Sequence, residues 1–241
     1  METPPNISQG NVEYKSSQDR IREFVGKVKI ILVESPKGIY LLKRLTAAFI
    51  ALSQMFIGIN NVMILFYALS FKSNILTTLH IFLCMVGFQL CFPIAMLSLN
   101  NYNGSTVTMN RGDRKFEHVF LGAFGIFCIT FGTITVLADR GAEMTTHATF
   151  GHAAGCLILL SCMTGLCSNG QGVFVIFIKY VHILTGIFGF IASSLCFTSG
   201  LYRRCFEDWV PGSSVNSFLV TFCFVYTTVI SLVSFRSLFK Y

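Results

Sequence analysis

Apolar residues in this chain come in long runs, with little alternation. Six stretches are long enough to cross a bilayer, whose hydrocarbon core needs roughly 20 consecutive, mostly apolar residues. They cover about residues 45–69, 76–97, 116–137, 148–166, 178–201 and 217–235. Residues 174–177 are apolar too, and the run alone leaves open whether they continue the fifth span or lie at the interface. The connections are short, so neighbouring spans should run antiparallel. The pattern predicts an all-α fold, a six-span transmembrane helix bundle whose spans two to five form the centre. A polar extension over residues 1–43 precedes a membrane domain over 44–238. Within the extension, residues 25–33 are apolar with interleaved lysine, a candidate interfacial segment. No internal repeat stands out.

Composition removes the alternatives. Of the 241 residues 53% are hydrophobic, and 25 are Phe. Only 12% are charged, against roughly 25% in soluble domains. Mean hydropathy is +0.65. A soluble fold could not hide so much apolar surface behind so few charges. Disorder is excluded as well, because disordered chains lack aromatic and aliphatic residues. The nine cysteines lie mostly inside the apolar runs, which favours buried packing over a disulfide framework. The first 40 residues show no cleavable signal pattern.

The net charge of +7 does not indicate nucleic acid, because Lys and Arg cluster at the ends of the apolar runs. Such residues orient membrane helices. Fourteen fall on the side that holds both termini, including Lys43, Arg44, Arg111, Arg114, Lys115 and Lys179. Four fall on the other: Lys72, Arg140, Arg203 and Arg204. Both termini are therefore expected in the cytosol. The sequons at Asn6 and Asn103 then face the cytosol and should carry no glycan.

The histidines carry the chemistry. Four of the five begin consecutive spans: His80, His118, His152 and His182. An ionisable residue inside a span is costly and marks a functional candidate. Span direction alternates, so His80 and His152 should share the non-cytosolic leaflet, and His118 and His182 the cytosolic one. Two imidazoles facing each other across a bundle form the axial ligand set of a six-coordinate haem. Two pairs predict two haem b groups. No Cys-x-x-Cys-His is present for covalent attachment. Small residues one turn beyond the ligand leave room for a porphyrin: Gly122 after His118, Gly186 after His182, and Gly155 after His152. After His80 the pattern is weaker, with Cys84 in that place and Gly87 later. Zinc would want three or four converging ligands, and a proton relay would want carboxylates within the spans.

Saturated haems point to electron transfer. With each histidine about a turn inside a span, the two irons would stand about 20 Å apart at 1.5 Å rise per residue. Arg111, Arg114, Lys115 and Lys179 are candidates for holding a small anionic reductant on the cytosolic face. Arg140 and His147 are candidates on the acceptor face, where His147 would coordinate a ferric complex or assist proton uptake.

On these residues the chain resembles the cytochrome b561 family, over about residues 44–238. The resemblance is carried by Leu79-His80, by Lys115-Phe-Glu-His118 with Gly122, by His147-Ala-Thr-Phe-Gly-His152 with Gly155, and by Lys179-Tyr-Val-His182 with Gly186. It is nearest to the smaller domain-containing members. The Ser-Leu-His-Ser-Trp motif of the chromaffin-granule type is absent, and the connection between spans four and five is short for the family. The resemblance implies transmembrane electron transfer from cytosolic ascorbate to ferric iron or monodehydroascorbate. It is compatible with a homodimer. The membrane stays open between endomembrane and plasma membrane. A flavin-coupled ferric reductase fits less well, since no span carries two suitably spaced histidines and no Gly-x-Gly-x-x-Gly is present. The non-enzyme alternative is a haem-free membrane scaffold or channel.

Overall fold

Three side-chain caps fix where three of the four histidine-bearing helices begin. Asn74 accepts from the Thr77 amide (3.0 Å), Asn110 from that of Asp113 (2.8 Å), and Thr145 from that of Ala148 (3.2 Å). Each pairs one of the amides that a helix start leaves unsatisfied. The computed structural model describes residues 37–70, 74–141, 143–168, 170, 172–210, 212–236 and 238. Over these the chain forms α1 (Lys37–Ser70), α2 (Ile75–Ser98), α3 (Arg111–Arg140), α4 (Thr146–Leu166), α5 (Val173–Leu201), a short α6 (Arg204–Glu207) and α7 (Ser213–Phe235). There is no strand among the described residues.

All but α6 are long and apolar enough to cross a membrane. The six expected spans are therefore present, each extended at one or both ends. Residues 174–177 continue the fifth span as helix. Lys43 and Arg44 lie within α1. The apolar segment 25–33 and the sequon at Asn6 fall outside the described residues. Asn103 is described, and it is buried; its amide donates to Leu97 O (3.3 Å) while its side-chain oxygen accepts from Gln54 (3.1 Å).

Helices α2 and α3 pack as one antiparallel pair, α4 and α5 as another, and α1 lies against α7. The turn from α4 to α5 is short, and Gly170 and Gly172 take φ of 131° and 124° in it, where a side chain would be strained. The apolar core joins Ile57, Phe88, Phe92, Phe190 and Tyr226 from α1, α2, α5 and α7. Outward faces stay apolar. On α3, Phe116, Phe120 and Phe124 are exposed and stack ring on ring, as suits a lipid-facing surface.

In the middle of α2 one turn widens into a π-helix, Met85–Cys91. Pro93 follows it and has no N–H to return to the turn behind. The Asn61 amide donates instead to Gln89 O (3.2 Å). The wide turn also presses Gly87 against α3. A Cβ at Gly87 would meet Gly125 O at 2.7 Å and Ile129 Cγ1 at 2.6 Å.

Candidate imidazole pairs in the bundle

Four imidazoles meet in two pairs. His80 on α2 faces His147 on α4, with ring centres 6.3 Å apart and planes at 85°. His118 on α3 faces His182 on α5, with ring centres 5.9 Å apart and planes again at 85°. The second pair is the one expected. The first differs from expectation: His147 takes the place foreseen for His152. Five residues along a helix rotate the side chain well off the original face, so both cannot point the same way. His152 is exposed, while His147 is half-buried.

Each paired imidazole donates its Nδ1–H to a main-chain carbonyl on the neighbouring helix. His80 donates to Gly132 O (2.8 Å), His118 to Ala95 O (2.7 Å), His147 to Cys196 O (2.9 Å) and His182 to Ser161 O (2.7 Å). A carbonyl can only accept, so the tautomer is fixed and Nε2 keeps its lone pair. This is the second-sphere bond by which proteins orient a metal-ligating histidine. A metal–imidazole bond is about 2.0–2.1 Å, and centre spacings near 6 Å leave room for one ion between two rings. The donor set therefore fits a haem iron with two axial imidazoles in each place.

The acceptors follow a rule. On α3, α4 and α5 the accepting carbonyl lies 14 residues after that helix's own histidine: Gly132 after His118, Ser161 after His147, Cys196 after His182. On α2 it lies 15 residues after His80, at Ala95. The extra residue sits in the π turn. Fourteen residues of helix rise about 21 Å, so the two pairs lie in separate layers. Helices α4 and α5 go further and repeat the whole set His-x3-Gly-x9-(Ser or Cys)-x3-Gly, at 147–165 and 182–200. The chain thus does contain an internal repeat, contrary to expectation. Its elements are single residues in otherwise different apolar helices.

The signal that would have found His147 is in that repeat. Gly151 follows it by four residues, as Gly122 follows His118 and Gly186 follows His182. Gly155 follows His152 by only three.

A cavity of about 240 Å³ reaches the first pair. Its lining includes His80, His147, His152, Glu143, Thr145 and Arg203. Arg203 donates to Thr145 Oγ1 (3.3 Å). Sequence reasoning named Arg140 for this face and missed Arg203. Arg140 closes α3, and its side chain is outside the described residues. Next to the second pair, Lys115 and Lys179 each stand one turn before a paired histidine. Lys115 is exposed and Lys179 half-buried. Arg111 is exposed, and Arg114 donates to Asn101 Oδ1 (2.6 Å).

Fold and site together define a multi-span membrane protein built around paired imidazoles. The family model for eukaryotic cytochrome b561 matches residues 79–207, just over half of the chain, and the chain belongs to that family. Membership carries oxidoreductase chemistry, transmembrane electron transfer by b-type haem. No curated protein matches the chain.

Proposed function

We propose that this chain carries electrons from cytosolic ascorbate across the bilayer to ferric iron or monodehydroascorbate. It holds two b haems, one between His80 and His147 and one between His118 and His182. The observation that carries the reading is the pair of facing imidazoles in each layer, every ring tied through Nδ1 to a carbonyl.

Haem supplies a one-electron ferric/ferrous couple. The remaining chemistry belongs to the chain. Four carbonyls fix the tautomers and raise the basicity of the Nε2 donors. Apolar helices around the pairs exclude water, so little reorganisation accompanies a change of charge. Lys115 and Lys179 stand one turn outside His118 and His182 and attract an anionic reductant, with Arg111 and Arg114 adding to the field. Arg203 attracts an anionic acceptor, monodehydroascorbate or an anionic ferric chelate, to the cavity over His80 and His147. His152, exposed at that cavity, takes the acceptor-side role first read for His147. The excess of Lys and Arg argues for both termini in the cytosol and the His118/His182 layer in the cytosolic leaflet.

The test is the visible spectrum of the full chain purified in detergent, with haem measured per chain, before and after ascorbate. Two b haems reduced by ascorbate are expected. His147→Ala should retain one haem, and His152→Ala both. A folded protein without haem overturns the reading. Haem that ascorbate leaves oxidised overturns the donor.

A further inference from the structure

We propose that Gly165 and Gly200 are positioning residues, one for each imidazole pair, which set the ring planes of His182 and His147. The proposal rests on the haem reading above. A Cβ built on Gly165 would meet Cε1 and Nδ1 of His182, both at 2.9 Å. One built on Gly200 would meet the same two atoms of His147, both at 3.2 Å. Each glycine follows by four residues the carbonyl that accepts that ring's Nδ1–H, Ser161 O and Cys196 O. One edge of the ring is thus held by a hydrogen bond and by bare backbone on a single helix face.

A methyl group there leaves the ring two exits. It can swing away and stretch a hydrogen bond of 2.7 Å at His182 or 2.9 Å at His147. Or it can rotate and change the 85° angle to its partner. Either exit moves an Nε2 lone pair that must point at one iron. The other ring of each pair has no such support. Four residues beyond the acceptors Gly132 and Ala95 stand Val136 and Leu99. Each pair therefore holds one imidazole backed by glycine and one that is not. Ordinary close packing of small residues predicts otherwise: alanine would loosen the α4–α5 contact without choosing between the two layers.

The test uses full-length Gly165→Ala and Gly200→Ala, with Gly58→Ala on α1, away from both pairs, as control because nothing lies within 4 Å of a Cβ there. Haem per chain, the low-spin ferric EPR signal and the midpoint potential of each haem are measured. His182→Ala and His147→Ala assign the signals to the two layers. Gly165→Ala should shift or remove the signal of the His118/His182 haem alone. Gly200→Ala should do so for the His80/His147 haem alone, and more weakly, since its clash is milder. The control should change neither. Unchanged signals in both variants, or equal changes in both layers, overturn the proposal while the haem reading stands. If Gly165→Ala does not fold, Gly200→Ala decides on its own. A wild-type protein without haem overturns both.

Discussion

Among single residues, Gln89 has the most demanding surroundings. It is buried between the two imidazole layers. Its amide donates to Ser193 O (3.2 Å), and its side-chain oxygen accepts from Tyr226 Oη (2.5 Å). In an apolar interior an unmatched polar atom costs more than a matched pair gains. Tyr226→Phe should therefore cost about 1 kcal/mol, a fall in Tm of about 2–4 °C for a chain of this size. Adding Gln89→Leu should recover part of it by removing the stranded oxygen. Thermal unfolding in detergent measures both; a double variant worse than the single one contradicts the account. The same scale shows where sequence reasoning stopped. His118 and His182 were legible because each is the lone histidine of its span, followed by glycine after one turn. His147 and His152 share a helix start; only the glycine four residues after His147 marks it in the sequence, and the ring geometry shows that it is the one facing His80. The four accepting carbonyls were illegible, since main-chain oxygens carry no sequence mark.

Among elements, the spans were legible because a bilayer demands unbroken apolar runs. The π turn of α2 was not. Its cause is spread over three places: Gly87 against Gly125, Pro93 after the turn, and Asn61 reaching across from α1. That turn provides the fifteenth residue between His80 and Ala95, and so keeps His118's carbonyl in register. A side chain at Gly87 should push α2 off α3. Gly87→Ala is expected to cost about 1–3 kcal/mol by overpacking and to lower haem retention. Gly58→Ala, on the open face of α1, should be neutral or gain about 0.5–1 kcal/mol from helix entropy. Urea-free thermal melts of the two variants decide this. Equal behaviour would mean that the close approach at Gly87 carries no energy.

For the whole molecule, the orientation in the membrane can be read from two native thiols. Cys167 and Cys205 are both exposed. They flank α5, Cys167 at the C-terminal cap of α4 and Cys205 just past the end of α5, and 29 residues of helix rise about 44 Å. A helix of that length separates them across the bilayer. The proposed orientation would put Cys167 in the cytosol and Cys205 opposite. In sealed vesicles with the cytosolic face outward, a membrane-impermeant maleimide should label Cys167 and spare Cys205. Detergent should then open Cys205 to the reagent, and Cys205→Ser should abolish that second increment. The exposed Cys156 lies within the apolar body of α4 and faces lipid, so it should stay unlabelled before detergent. Labelling of Cys205 alone would invert the topology, and with it the sides assigned to donor and acceptor. Labelling of both in sealed vesicles would mean that α5 does not span.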